Sequence, residues 1–362
     1  MKDSPSQAAS ARAELERLTD QLLSPDSENA TLRDAATGLH CLLANLSGLN
    51  EASTNRDDTS NIALDTGLAI SPKDAARSIL DYRRTAQFLR GLRASITKAQ
   101  EHFLKGPLEI LYAGCGPFAP FALALATQFS PAEVQFTLLD VHSRSLEIAR
   151  HIFAEMGLRN HVRDYLEADA GSYRKPAGSE LHVVLVETMQ NTLVREPQVD
   201  ISLNLAPQLA PGGFFIPKRI EIDCHLTDLR RETALFSLGH AEDTAERPKQ
   251  TQRQTQRVLL GRVFELSAMT VNAGKFARGL PGKPPPFPPV IVEVPGDMQQ
   301  RLHALLTTTV IVFDSIVIRE AESGLTQPTI LHDLGALDPG ARIEFRYAIG
   351  REPGLKYRLL AD

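Results

Sequence analysis

The stretch LEILYAGCGPF, residues 108–118, decides the fold. An apolar segment with strand-like composition leads directly into two glycines, Gly114 and Gly116. Without side chains at these positions, a ligand can approach the backbone closely where the buried strand ends. A tight strand-to-helix turn that binds nothing gives the same pattern. The stretch therefore predicts a buried strand and a turn, and ligand binding is one of two interpretations of that turn.

Acidic residues follow the next two predicted strands. Asp140 ends VQFTLLD, and Asp169 lies in YLEADA. Ligands of open α/β sheets bind at the carboxyl ends of the strands, where a carboxylate can accept both ribose hydroxyls. We therefore expect Asp140 to bind a ribose and Asp169 to lie near an adenine amino group, with an ordinary helix N-cap as the alternative for Asp140. For the neighbouring His142, a solvated or core role is expected.

Strands and helices alternate from Pro107 to about Glu221. The segments are LEILYAG, FAPFALALATQF, VQFTLLDV, RSLEIARHIFAEMGL, HVVLVE and, after a Pro-Gly-Gly turn, FFIPKRIEI. This alternation predicts the α/β class, with a Rossmann-like, doubly wound parallel sheet. Upstream, Ser71 and Pro72 have the types of an N-cap and a first helical residue, and the apolar spacing predicts one helix from there to Phe103.

The remaining sequence divides into two regions. Residues 1–70 combine short helical patterns with polar linkers and predict a helical cap, in which we identify no chemistry. Residues 71–220 form the α/β domain with its leading helix. Residues 221–362 contain TTTVIVFDSIVI, ARIEFRYAI and LKYRLL, which predict an antiparallel β domain. The polar, Arg- and Gln-rich residues at about 228–257 predict an inserted arm.

Composition excludes several classes of protein. The 362 residues carry a formal charge of −5, with 39 basic residues interspersed among 44 acidic ones, so nucleic acid is not an expected partner. No apolar run reaches the roughly 18 to 20 residues of a membrane span, and the polar N-terminus lacks the features of a signal peptide. We therefore expect a soluble, cytoplasmic protein. Cys41, Cys115 and Cys224 are too far apart in sequence for a zinc knuckle, and no metal site is expected.

These motifs resemble class I S-adenosylmethionine-dependent methyltransferases. The shared features are the glycine turn after the first strand and acidic residues after the second and third strands. The resemblance implies that Gly114, Gly116, Asp140 and Asp169 bind S-adenosylmethionine. Two positions depart from the pattern, because Tyr112 replaces an acidic residue that helps hold the methionyl ammonium and Phe118 replaces a third glycine. The amino-acid end of the cofactor must then be held differently, with Tyr112 in the cofactor site.

A second resemblance comes from ETMQNTLVREP, residues 187–197. Glu187 and Glu196 are nine residues apart, and two converging carboxylates suit a guanidinium or an amine. Two solvated glutamates are the alternative. The spacing, Met189 and the later LAPGGFFIPKRIEI resemble protein arginine methyltransferases, whose Asp-x-x-Arg-Thr motif matches residues 81–85.

That resemblance extends from about residue 71 to the C-terminus and implies several roles. Arg84 would bind the cofactor carboxylate, and Asp81 would face the active site together with the catalytic Glu187 and Glu196. It also implies that the β domain is barrel-like and that its arm makes a head-to-tail homodimer.

Departures from the arginine methyltransferase pattern indicate a different substrate. Thr188 replaces a tryptophan, Gln198 replaces a methionine, and Thr326-Gln327-Pro328 replaces the Thr-His-Trp loop that closes the substrate pocket. The chain contains no tryptophan. A small molecule is therefore expected as substrate in place of a protein tail. The leading hypothesis is N-methylation of arginine or another small guanidine or amine, in specialised metabolism.

Two other hypotheses remain open. In the first, the enzyme cyclises S-adenosylmethionine to azetidine-2-carboxylate and methylthioadenosine, which fits Tyr112 and the missing substrate loop. In the second, the chain is a non-catalytic cofactor-binding scaffold whose arm and cap recruit a partner. The presence of both glutamates at the matched spacing favours an enzyme.

Overall fold

The computed structural model describes residues 5–233, 257–273 and 287–361 of the chain. Its N-terminal part is mainly helical. Two long helices, one short helix, a small antiparallel hairpin and two further helices precede the central sheet: α1 Pro5–Leu23, α2 Asn29–Ser47, α3 Arg56–Thr59, β1 Ile62–Leu64, β2 Gly67–Ala69, α4 Pro72–Arg77 and α5 Tyr82–Gln100.

The central sheet has five parallel strands in the order β5-β4-β3-β6-β7. Their bounds are β3 Leu108–Ala113, β4 Val134–Asp140, β5 Val162–Glu167, β6 Val183–Val186 and β7 Phe214–Ile216, and the helices between them are α6 Pro120–Leu125, α7 Ser143–Glu155 and α8 Gln198–Leu205. Every residue of β6 is buried, as in a strand covered on both faces. The predicted Rossmann-like, doubly wound sheet is confirmed.

The strand register brings the predicted site residues to one edge. Ala113 at the end of β3 pairs with Leu139 of β4 on one side and with Val186 of β6 on the other. The next residues along these strands are Gly114, Asp140 and Glu187. The glycine turn therefore lies between a carboxylate on each side at the carboxyl edge of the sheet.

Antiparallel strands form the C-terminal part. They comprise β8 Arg219–Thr227, β9 Val258–Ser267, β10 Val290–Glu293, β11 Leu302–Phe313, β12 Ile316–Ile318, β13 Thr329–Ile330, β14 Ala336–Leu337, β15 Arg342–Ala348 and β16 Gly354–Leu359, with helix α9 at Ala268–Ala273. One sheet has the order β12-β11-β8-β9, with β13 and β14 also paired to β11, and the other has the order β10-β15-β16. The predicted antiparallel β domain is confirmed.

Short 3-10 turns occur throughout the described residues. They lie at Ser78–Leu80, Arg159–His161, Asn191–Leu193, Ala206–Gln208, Gly324–Thr326 and His332–Leu334. Most of the predicted arm, residues 234–256, lies outside the described residues. Within the described residues, no helix combines the length and the apolar character needed to span a membrane.

Two predicted elements are wrong in extent. The helix predicted from Ser71 to Phe103 is broken at Asp81, whose φ of −73° and ψ of 80° are not helical. Asp81 is instead the N-cap of α5, because its carboxylate accepts the backbone N–H of Arg84 at 3.3 Å. The predicted N-cap at Ser71 is confirmed, and its hydroxyl accepts the N–H of Asp74 at 3.2 Å.

The segment FFIPKRIEI was predicted as one strand and forms two. β7 completes the parallel sheet, whereas β8 begins the antiparallel sheet after Pro217 and Lys218. Proline lacks the N–H that a continuing ladder needs, so the pairing changes at this point. This short connection joins the two halves of the molecule.

Candidate active site

A cleft opens at the carboxyl edge of the parallel sheet. It encloses about 860 Å³ of empty space, part of it open to solvent. The described residues that line it all lie between Leu64 and Ile201. They include every residue predicted to bind the cofactor, namely Arg84, Tyr112, Gly114, Gly116, Asp140 and Asp169, together with both glutamates, Glu187 and Glu196.

The glycines of the turn are needed for backbone conformation and packing within the protein. Gly114 and Gly116 have φ values of 71° and 63°, which favour glycine. A Cβ at Gly114 would lie 2.2 Å from Cγ2 of Thr188, whereas one at Gly116 would lie 3.5 Å from Cβ of Ala75. Gly114 is therefore required by packing within the protein, because the Thr188 side chain lies against it.

Asp140 is buried and held by the turn that it faces. Its Oδ2 accepts the N–H of Gly116 at 2.8 Å, and its Oδ1 accepts the N–H of His142 at 2.9 Å. These bonds fix the plane of the carboxylate. Asp169 is held in the same manner, since its Oδ1 accepts the N–H of Gly171 at 2.7 Å. Both carboxylates are thus oriented by backbone groups at the edge of the cleft.

A solvated or core role was expected for His142, and the structure places it, buried, in the cleft wall. Its Nδ1 lies 3.3 Å from Oδ1 of Asp140, and its Nε2 lies 3.3 Å from the carbonyl oxygen of Ser60. It therefore connects Asp140 to the N-terminal cap. The position directly after a predicted ligand-binding strand was the available signal for this role.

Residues 58–70 of the cap cross the cleft, and we call this segment the cap strap. At one end Arg144 pairs with the buried Asp58 at 3.0 Å. At the other end the backbone N–H of Leu68 donates to the carbonyl oxygen of Arg195 at 2.8 Å. Four residues of the strap, Leu64, Leu68, Ala69 and Ile70, line the cleft. The cap thus contributes directly to the site, contrary to the expectation from the sequence.

Glu187 and Glu196 are buried at the opposite end of the cleft from Asp169 along the sheet. Oε2 of Glu187 accepts a hydrogen bond from Nη2 of Arg84, whose side chain also lies in the cleft wall. Oε1 of Glu187 has no hydrogen-bond partner among the described residues. The alternative of two solvated surface glutamates is wrong, since both side chains are enclosed.

Burial has the largest effect on the pKa values of Glu187 and Glu196. It raises the pKa of Glu187 to about 7, although the Arg84 guanidinium opposes the shift, and the charges of Glu196 and Asp81 add to it. Burial also raises the pKa of Glu196, against the effects of Arg84 and of a hydrogen bond from Gln190. The pKa of the Tyr112 phenol lies well above its usual range, because of burial and the nearby Glu187 charge, so Tyr112 is a neutral group.

The loop between the glutamates is held by the β domain. Thr192, Leu193 and Arg195 have φ values of 55°, 57° and 67°, a strained conformation for residues other than glycine. The Tyr347 hydroxyl donates to the carbonyl oxygen of Leu193 at 2.6 Å, and Nδ2 of Asn191 donates to the carbonyl oxygen of Gln327 at 2.6 Å. These contacts from β-domain residues stabilise the loop conformation that buries Glu196.

Asp81 differs from its predicted position. It does not contribute to the cleft lining within the described residues. Its Oδ2 accepts the Ser323 hydroxyl at 2.6 Å and the N–H of Gly324 at 2.9 Å, while Oδ1 caps α5. Its β-domain partners are thus Ser323 and Gly324, which precede the predicted Thr326-Gln327-Pro328 segment. Asp81 joins the helix that carries Arg84 to the β domain.

Together, these groups could hold a nucleotide-like ligand with a cation at one end. Backbone-oriented carboxylates lie at the predicted ribose and adenine positions. At the other end the Arg84 guanidinium lies near several carboxylates, and Oε1 of Glu187 has no hydrogen-bond partner within the described part of the chain. A cationic group beside Glu187 and Glu196 would offset the excess negative charge.

The fold is that of the arginine methyltransferase type, with a Rossmann-like sheet followed by an antiparallel β domain. A similar solved structure is the Trypanosoma brucei PRMT1 enzyme-prozyme heterotetrameric complex with AdoHcy. The match has a TM-score of 0.51 and 12% sequence identity, and it covers 79% of this chain and 92% of that chain. No protein-family model matches the sequence, and no curated protein matches it.

Proposed function

We propose that this protein is an S-adenosylmethionine-dependent N-methyltransferase that acts on arginine or another small guanidine or amine. The observation that carries the proposal is the buried Arg84–Glu187 pair, with Oε1 of Glu187 unpartnered and Glu196 enclosed in the same cleft. An isolated buried carboxylate oxygen costs free energy unless a donor reaches it. A cationic nitrogen group with several N–H donors would satisfy it.

The cleft suits the proposed cofactor. Gly114 and Gly116 allow close approach to the turn, Asp140 would accept the ribose hydroxyls, and Asp169 would lie near the adenine amino group. Arg84 would hold the carboxylate of the methionyl part, and Tyr112 would provide a neutral wall where related enzymes have an acid. AdoHcy in the similar solved structure supports this assignment.

The lining of the cleft supports a small acceptor. Within the described chain, the lining residues come from the cap and the α/β domain. The β domain instead contacts the loop that carries the two glutamates. No β-domain residue is among the described residues that line the cleft. The role in specialised metabolism remains a prediction.

In the proposed reaction, the bound cofactor supplies a methyl group on a sulfonium. Glu187 and Glu196 would hold the acceptor nitrogen and orient its lone pair, so alignment contributes most of the rate enhancement. With a pKa of about 7, Glu187 can accept a proton released by the nitrogen at neutral pH. Leu64 and Leu68 of the cap strap would exclude water from this end of the cleft.

Product analysis tests the proposal. The purified protein is incubated with S-adenosylmethionine and a panel of guanidines and amines, including arginine, and the mixture is analysed by mass spectrometry. We expect S-adenosylhomocysteine and a methylated acceptor in equal amounts. Absence of both products and of methylthioadenosine, with cofactor binding intact by calorimetry, would instead support the non-catalytic scaffold.

Cyclisation of S-adenosylmethionine is a second candidate, favoured by two features. Tyr112 leaves the cofactor amine without its usual acidic partner, and Glu187 is a buried base that could accept a proton from that amine. In that reaction the amine nitrogen displaces methylthioadenosine from the γ-carbon and loses one proton. Methylthioadenosine and azetidine-2-carboxylate formed without any acceptor would support it over methyl transfer.

We also propose that the protein forms a homodimer through its β-domain arm. The similar solved structure is described as a heterotetramer, which supports assembly in proteins of this fold. Light scattering at micromolar concentration should give twice the 39.7 kDa chain mass. A monomer mass under these conditions would contradict the proposal.

A further inference from the structure

Gln198 is a fully buried polar residue beside the candidate active site. It is the first residue of α8, whose N-cap is Pro197. Burying an amide is costly unless its hydrogen bonds are made elsewhere in the fold. The hydrogen bonds of the Gln198 side chain therefore indicate its structural role.

The Gln198 amide bridges the two residues on either side of Glu187. Its Oε1 accepts the backbone N–H of Thr188 at 3.0 Å and the Thr188 hydroxyl at 3.4 Å. Its Nε2 donates to the carbonyl oxygen of Val186 at 3.2 Å. Donor and acceptor thus fix the backbone before and after the catalytic glutamate.

The same bridge reaches the glycine turn through Thr188. The Thr188 methyl group occupies the space that a Cβ at Gly114 would need, so Thr188 cannot move toward the turn without a clash. Gln198 binds the backbone N–H and the hydroxyl of the same threonine. The backbone of Glu187 is consequently fixed relative to both the strand end and the turn that would contact the cofactor.

We infer that Gln198 is a positioning residue that sets the location of the Glu187 carboxylate through the backbone of Val186 and Thr188. This inference rests on the proposed function for its effect on turnover. Thr188 and Gln198 both differ from the arginine methyltransferase pattern, and they are hydrogen-bonded to each other next to Glu187. Neither side chain needs to touch the acceptor to affect its alignment.

The pKa of Glu187 should respond to loss of this bridge. Burial raises that pKa, and Arg84 partly opposes the shift. If the backbone of Glu187 relaxes away from Arg84, the opposing effect weakens while burial persists. The midpoint of a pH profile governed by Glu187 should therefore move above about 7.

The test compares Gln198→Met with Gln135→Met. Methionine keeps the size of glutamine but cannot bridge the two backbone groups. Gln135 is the control, because its side-chain amide also bonds to two separate backbone groups: its Nε2 donates to the carbonyl oxygens of Pro131 and Asn160, at the opposite end of the sheet. Gln198→Asn is the second variant, which retains an amide that is too short to span Val186 and Thr188.

Three measurements are made on the full chain. Hydrogen exchange without ligand should accelerate selectively in residues 187–197 of both Gln198 variants. Calorimetry with S-adenosylmethionine should give a Kd within about threefold of wild type. Turnover should fall by about ten- to a hundredfold, with the pH midpoint raised, since misplacing a reacting group by about 1 Å can cost a hundredfold.

Unchanged exchange in residues 187–197 would overturn the inference. Turnover and a pH midpoint equal to those of Gln135→Met would also overturn it. A loss of cofactor affinity in proportion to the loss of turnover would overturn it as well, because it indicates a structural role only. If wild type neither binds nor consumes S-adenosylmethionine, the proposed function fails. The exchange measurement then decides by itself whether Gln198 holds the Glu187 backbone.

Discussion

The backbone N–H of Leu68 donates to the carbonyl oxygen of Arg195, and this bond connects the cap strap to the loop that carries Glu196. Gly67 makes the approach possible, because a Cβ there would lie 2.6 Å from that carbonyl oxygen. The strap that lines the cleft and the loop that carries the second glutamate are therefore joined directly, and we expect their positions to depend on each other. A ligand that orders one of them stabilises the other.

Gly67→Ala should separate the strap from the glutamate loop. The new methyl group would collide with the Arg195 carbonyl oxygen, in addition to the strain of an alanine at a φ of 138°. We expect S-adenosylmethionine binding by calorimetry to weaken about tenfold, equivalent to about 1.4 kcal/mol. Leu64 and Leu68 would no longer close the cleft.

Gly261→Ala is the matched control for this prediction. Gly261 has a φ of 141°, and a Cβ there would have no neighbour within 4 Å. The control carries the same backbone strain without the collision and should bind the cofactor as wild type does. Equal affinity in Gly67→Ala and Gly261→Ala would show that the strap contact does not affect the site.

Much of the α/β domain could be predicted from local sequence. The strands β3, β4 and β6 are apolar runs bounded by turn residues, and their burial on both faces depends little on distant contacts. Because such strands end at one edge, the positions of Gly114, Asp140 and Glu187 followed from the pattern.

Other features depend on contacts that a linear pattern does not contain. The hairpin of the strap has strands of only three residues, although Asp65-Thr66-Gly67 between two apolar triplets was a turn signal. The break at Asp81 depends on Ser323 and Gly324, more than two hundred residues later. The burial of Glu196 depends on Tyr347 and Asn191, so sequence alone left a solvated pair as an alternative.

Activity should rise with pH through a midpoint near 7. Glu187 has a pKa of about 7 in the folded protein, raised by burial from 4.5, and its charged form is needed to hold a cationic acceptor. Below the midpoint, kcat/KM should fall about tenfold for each pH unit. A flat profile from pH 5.5 to 8.5 with the identified acceptor would exclude Glu187 as the titrating group.

The same shift affects stability with a defined sign. Because the folded pKa is raised, the contribution of Glu187 to stability is fully present below pH 4.5 and is lost as pH rises through about 7. The free energy of unfolding of wild type minus that of Glu187→Gln should therefore decrease as pH rises from 4.5 to about 7. Urea denaturation at several pH values measures it, and an increase would contradict the burial of a protonated Glu187.

Asp140→Ala should weaken cofactor binding. The substitution removes the acceptor for the proposed ribose hydroxyls and releases the N–H groups of Gly116 and His142. A hydrogen bond to a charged group contributes about 1.5 to 3 kcal/mol, so the Kd should rise about ten- to a hundredfold. Asp164→Ala, on the exposed side of β5, is the control. Unchanged affinity in a folded Asp140→Ala protein would place the cofactor elsewhere.

Glu187→Gln and Glu196→Gln should reduce turnover more than cofactor affinity. Glutamine keeps the size of each side chain but removes the charge that would hold a cationic nitrogen beside Arg84. We expect turnover to fall by about a hundredfold or more, since alignment of the acceptor is lost. The Kd for S-adenosylmethionine should change less, because the ribose and adenine contacts lie on the other side of β3. Glu101→Gln, an exposed partner of Lys98, controls for the loss of a surface charge. Full turnover in both active-site variants, with the identified acceptor, would show that the two glutamates are not the acceptor site.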